Sequence, residues 1–277
     1  MWTDRVSLLD DLTVADWLPA LVDGTWGTVG GIVPAGYPAY ARVLHPVDGA
    51  TTVPTRWSDV ARLTGRQVHP LVQWHRLIGS EDPWNPQSSL WLEGRPNQGS
   101  LATVQLLTLC RVLGEHTGNP EECTFALWEG FGQLNEGARM RLTARRAPRL
   151  AARLPWPRRG RRRSSDGELV PAVLGEDERR APRLEMPGRA YLLFGGPLDA
   201  MEDVVRYDGG PFSAEQSPNL FWPADRAWCV GTEIDLDSTL VAGDAETIAA
   251  VLACPGLEAW SVQVGDSLQF DADAINV

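Results

Sequence analysis

The sequence contains no lysine, and all 25 of its positive side chains are arginine. Arginine-for-lysine replacement of this kind accompanies GC-rich coding. Its chemical consequence is definite: Schiff-base lysines, P-loop lysines and lysine general bases are excluded. The four cysteines, Cys110, Cys123, Cys229 and Cys254, form no CxxC pair. A reduced, cytoplasmic protein with buried free thiols is therefore expected. No apolar run approaches the roughly 18–20 residues of a membrane span. The longest, around Leu101 to Cys110, is broken by Thr103, Gln105 and Thr108, so no membrane partner is expected. The opening MWTDRVSLLDD lacks a basic region followed by an apolar stretch, which argues against a signal peptide. There is no Gly-x-Ser-x-Gly elbow, and the glycine-rich TWGTVGGIVPAG matches neither a dinucleotide fingerprint nor a P-loop.

What is present is tryptophan, acid and one block of arginine. The 12 tryptophans are scattered from Trp2 to Trp260, as core or loop anchors or as the lining of a sugar or peptide groove. Charge is divided unevenly. Arg139 to Arg163 holds 11 arginines and no acid, which leaves 14 arginines against 36 acids, about −22, in the rest of the chain. With its prolines, glycines and few aromatics, residues 138–185 read as a disordered Arg/Pro-rich insertion. It would divide a single domain into an N-terminal part, 1–137, and a C-terminal part, 186–277. Arg158, Arg159, Arg161, Arg162 and Arg163 form its basic centre. They are candidate nucleic-acid contacts, although the acidic remainder and the lack of interleaved aromatics argue against nucleic acid as a partner.

The flanking parts read as folded. Thr13 to Asp16 resembles a capping box opening a short helix, and Ser58 is a candidate cap for a helix through Leu63. Helical spacing of Leu101, Val104, Leu107, Cys110 and Leu113 predicts a largely buried helix over Gly99 to His116. Strands are predicted at Tyr37 to Val47, Cys123 to Trp128, Tyr191 to Phe194, Trp228 to Leu236 and Ala259 to Val264. Asp199 to Arg206 is predicted helical. So is Ala245 to Ala253, capped by Asp244 and stopped by Pro255-Gly256. Without a regular βαβ rhythm the fold class is α+β, a mixed or antiparallel sheet with packed helices.

The predicted strand Trp228 to Leu236 carries the main candidate site. At period two Glu233, Asp235 and Asp237 fall on one face. Alternating carboxylates suit a hard divalent cation, or form a solvated face. No other cofactor is expected. Trp222, Asp225 and Arg226, just before this strand, are further candidate binding residues: a local ion pair, and an indole able to line a groove. The histidines show no ligand spacing; His69 and His75 stand six residues apart, unlike HExxH.

Ile234 to Leu240, IDLDSTL, resembles the nucleophile motif of the haloacid dehalogenase superfamily, which implies Asp235 as nucleophile and Asp237 as acid/base. Glu233 departs from the apolar lead-in of that motif. More broadly, TWGTVGGIVPAGYPAYARVLHP, FALWEGFG (125–132), YLLFGGPLDA (191–200) and SPNLFWPADRAWCVGTEIDLDSTLVAG (217–243) resemble a family of proteins from GC-rich bacteria with no established activity. WLPA (17–20) and PAGYPAY (34–40) resemble the SUKH superfamily of α+β immunity and interaction proteins. That resemblance implies a non-enzymatic binder whose acidic face meets another protein with a basic surface. A protein-binding module is thus the leading expectation. A metal-assisted hydrolase using Glu233, Asp235 and Asp237 is the alternative, and nucleic-acid binding through the arginine block comes third.

Overall fold

A computed structural model describes residues 4–20, 22, 25–48, 55–131, 134, 174–205 and 216–277. In chain order the strands are β1 (Ser7–Leu8), β2 (Ala39–Leu44), β3 (Val47–Asp48), β4 (Arg95–Pro96), β5 (Cys123–Trp128), β6 (Leu184–Met186), β7 (Arg189–Gly196), β8 (Leu220–Pro223), β9 (Trp228–Gly231), β10 (Ser238–Gly243) and β11 (Ala259–Val262). The helices are α1 (Trp57–Thr64), α2 (Trp74–Leu77), α3 (Thr103–Gly114), α4 (Glu176–Arg180), α5 (Met201–Val205) and α6 (Ala245–Ala253). Nine strands form one sheet in the order β1-β7-β5-β8-β9-β10-β2-β11, with β6 also on β7. Every pairing in it is antiparallel. The protein is therefore α+β. None of the helices among the described residues is long and apolar enough to cross a membrane.

Both faces of the sheet are covered, so its central strands are buried and mostly apolar on both sides instead of alternating with solvent-facing polar residues. On one face Phe125, Phe194, Phe221, Trp228 and Val230 meet Leu106, Leu109 and Leu113 of α3 and Ile248 and Val251 of α6. On the other, Leu193, Leu220 and Trp222 pack beneath Ala15 and Leu18, and Tyr40, Leu240 and Ala242 beneath Val29 and Val33. A satellite core lies beyond β2. Its indoles Trp57, Trp74 and Trp91 meet edge-on, with centroids 5.3 and 6.4 Å apart, a favoured aromatic geometry.

Local chemistry explains the helix ends. The Asp244 carboxylate accepts the Thr247 N–H at 2.7 Å, capping α6 as its sequence indicates. Helix α1 is capped from a distance: the Glu258 carboxylate accepts the N–H groups of Trp57 and Ser58 at 2.7 and 2.8 Å. Ser58 is therefore inside the helix and not its cap. A carboxylate just ahead of β11 satisfies two of the free donors and suits the positive helix end. Thr13 to Asp16 forms a single tight turn over Thr13–Ala15 without side-chain capping, because Asp11 holds the Thr13 N–H instead. Val104, placed on the apolar face by spacing, is exposed.

Two expectations are corrected. Helix α4 and the start of strand β6 fall inside the predicted insertion, so its last part, from residue 174, is folded; β7 recruits Leu184–Met186 as a hairpin partner. Residues 138–173, with Arg158, Arg159, Arg161, Arg162 and Arg163, lie outside the described residues. The strand from Trp228 stops at Gly231, because the chain turns at 234–235 to enter β10. Among the cysteines, Cys110, Cys123 and Cys229 are buried and Cys254 is half-buried, all as free thiols. Burial pushes the Cys123 thiol up to about 12, so it stays protonated near neutrality.

Candidate functional site

The β9–β10 connection brings the predicted carboxylates to the end of the sheet, but not onto one strand face. Glu233 Oε1 accepts from Arg189 Nη2 at 2.7 Å, and Asp235 Oδ2 accepts from the same nitrogen at 3.3 Å. The Arg189 guanidinium also stacks on Trp128, 5.4 Å from the ring centroid. Asp237 turns the other way, toward Arg42 Nη2 at 3.6 Å. The three carboxylates are divided between two arginines, because a loop residue is not bound by strand alternation.

Arg42 is 1% exposed, on the middle of β2. Its Nε donates to Ser238 Oγ at 2.9 Å, and its Nη1 to the carbonyls of Pro70 and Val72 at 3.0 and 2.9 Å. Burial pushes the Asp237 carboxyl up, and the Arg42 charge only partly counters it. Beside this pair, His45 is buried between the Asn97 carbonyl, 2.6 Å from Nδ1, and the Thr239 hydroxyl, 2.9 Å from Nε2. Thr239 meets the Thr232 hydroxyl at 2.8 Å. Desolvation holds His45 down at about 4, so the ring is neutral near pH 7.

A cleft of about 340 Å³ opens against this loop, lined by Asp235 and Asp237 together with Trp26, Trp84 and Phe270. Those three aromatics are 52%, 77% and 48% exposed. Trp84 and Phe270 lie 6.1 Å apart between centroids. Each wall is fastened by hydrogen bonds. Asp82 Oδ1 accepts the N–H groups of Trp84 and Asn85, and Gln269 Nε2 donates to the Trp26 carbonyl. Asp273 anchors the wall that carries Phe270. Burial works to raise its pKa, but donors from Asn276, His69 and Gln73 hold it at about 2. His69 Nε2 stands 2.8 Å from Asp273 Oδ1. Behind the 233–237 loop, Gly99 has φ +74, and an added Cβ would come within 2.6 Å of the Ile234 carbonyl. Glycine is required there for both reasons, and its N–H ties down the Leu236 carbonyl at 2.8 Å.

Trp222 is 1% exposed and buried under Trp17, which meets it edge-on at 5.9 Å; it faces the core and lines no groove. Asp225 and Arg226 do not pair with each other. Burial works to raise the Asp225 pKa, but donors from Ala227, Thr117 and Gly118 prevail and lower it. Arg226 adopts a left-handed φ of 55° in the β8–β9 turn and stacks on Trp17 at 5.1 Å. Among the described residues no group of three His, Cys, Asp or Glu is placed to hold a metal ion. The residues that shape the cleft were missed from sequence. Pro83-Trp84-Asn85-Pro86 behind Asp82 is the local signal that could have found one wall, since prolines and an Asx turn hold a tryptophan outward.

Comparison with protein-family models, curated proteins and solved structures found no match for this chain. The resemblance of IDLDSTL to the dehalogenase motif meets a different setting here: Asp235 and Asp237 lie between antiparallel strands and are paired to arginines.

Proposed function

We propose that this protein is a non-enzymatic protein-binding module that meets a partner with a basic surface. The observation supporting this most is the cleft with three exposed aromatic side chains on a strongly acidic chain. Large exposed aromatics leave apolar area in water unless something covers them, and aromatic anchors carry most of the energy at protein interfaces. Surrounding acid steers a basic partner toward them. The four unpaired cysteines suit a reducing compartment, and we place the protein in the cytoplasm on that ground.

The metal-assisted hydrolase reading has weaker support. A divalent ion at Glu233, Asp235 and Asp237 would have to displace Arg189 and Arg42, and the three carboxylates are divided between these two arginines. The nucleic-acid reading rests on residues outside the described set.

Titration of the full chain with a lysine- and arginine-rich peptide, at low and high salt, tests the proposal. Micromolar binding that weakens with salt is expected. It should drop at least tenfold in a variant with Asp82, Asp235 and Asp271 changed to lysine. Absence of binding at low salt, or binding indifferent to charge reversal, would sink the proposal.

A further inference from the structure

Resting on that reading, we infer that the cleft takes an arginine-bearing, proline-rich segment of another protein, with the guanidinium against its exposed indoles and Asp235. The walls are stiff. Pro83, Pro86 and Pro96 line the cleft with Trp26, Trp84 and Phe270, and prolines lose almost no side-chain freedom when covered. A rigid aromatic and proline surface suits a polyproline II ligand, itself already extended and without internal hydrogen bonds. The cleft has the volume of a small-molecule site, so it takes a few side chains of an extended segment and not a folded element.

Charge selects the cation. Asp235 lines the cleft with 60% of its side chain exposed. Exposed Asp82 and Asp271 adjoin the walls at Trp84 and Phe270. Arg95 also lines the cleft, one positive side chain among these acids. Arg189 meets only the Oδ2 oxygen of Asp235, and a second guanidinium has the other oxygen available.

The chain itself shows why arginine fits better than lysine. Arg189 stacks on Trp128 while bonded to Glu233, and Arg226 stacks on Trp17. A planar guanidinium covers an indole face and still directs its N–H fork at a carboxylate, whereas a lysine ammonium is a compact, strongly hydrated charge. Trp84, Phe270 and Asp235 line one cleft and offer it the same ingredients, aromatic faces and a carboxylate.

Calorimetric titration of the full chain with short synthetic peptides tests this. The probes are a proline-rich peptide with one arginine, its lysine and citrulline versions, and a version with alanine in place of proline. The arginine peptide is expected to bind in the micromolar range, and the other three on the order of tenfold more weakly. Trp84→Ala should lose a similar factor with an unchanged near-ultraviolet circular dichroism spectrum, since the side chain is 77% exposed. Equal binding of the arginine and citrulline peptides, or full affinity in Trp84→Ala, overturns the inference. If a lysine-rich, proline-free peptide then still binds with salt dependence, the broader reading stands alone. If no basic peptide binds, both fall.

Discussion

Under α3 and α6 the centre of the sheet is closed by Leu106, Leu109, Leu113, Ile248 and Val251, all aliphatic and all buried. Toward the end where β2, β9 and β10 run out, the same sheet buries His45, Thr232, Ser238 and Thr239, and the Arg42 side chain from mid-β2 hydrogen-bonds to Ser238 there. The difference follows from the backbone. In the centre, strand pairing satisfies the N–H and C=O groups, so apolar side chains suffice. At the end, strands give way to loops, and the carbonyls of Pro70, Val72 and Asn97 need donors, which Arg42 and His45 supply. The cleft opens at this polar end, where loops, the short helix α2 and β4 form the boundary in place of α3 and α6.

The largest effect that would break this comparison is on Arg42. Arg42→Met removes the donors to Pro70, Val72 and Ser238 and leaves Asp237 without its counter-charge. Urea unfolding should show a loss of about 3–5 kcal/mol, as for a broken buried pair. A loss below about 1 kcal/mol would mean that the polar end is wet and adds little.

Acid sensitivity sharpens the comparison further. His45 is held at about 4 against an ordinary 6.5. The unfolded chain therefore takes up this proton before the folded one, and stability is full above about pH 6.5 and falls as pH drops toward 4. The whole window is worth about 3 kcal/mol. Asp237 acts with the opposite sign, because its raised folded pKa makes the native state bind a proton earlier. Unfolding free energies across this range should fall less steeply for His45→Gln, by about one proton. Parallel slopes in the two proteins would move the acid sensitivity elsewhere.

The smallest effect belongs to the helical side. Asp244→Ala removes the cap of α6 and should cost about 1 kcal/mol, with no change in peptide binding at the cleft. A loss of binding in this variant would show that the two regions are coupled.

Several elements were legible because their causes are local. Cys123–Trp128 is a run of β-formers and matches β5 residue for residue; Asp244 and Pro255-Gly256 bracket α6; and leucine spacing places α3 within two to four residues. The run after Trp228 was misread because Thr232 to Leu236 keeps strand-like alternation while the chain is turning. The β10 register with β2, from Ser238↔Leu44 to Gly243↔Ala39, determines where the strand restarts. Capping of α1 by Glu258 was invisible because donor and acceptor lie 200 residues apart.

By itself the sequence determined an α+β protein of strong negative charge, with unpaired thiols and no lysine chemistry, since composition and short-range periodicity act residue by residue. Only the tertiary structure decided that Glu233 and Asp235 face Arg189, that Asp237 faces Arg42, and that Trp222 is buried while Trp84 stands in water. Those outcomes depend on which distant segments the sheet brings together. A carboxylate's chemistry is set by its partner and its burial, and neither is encoded within a few residues of it.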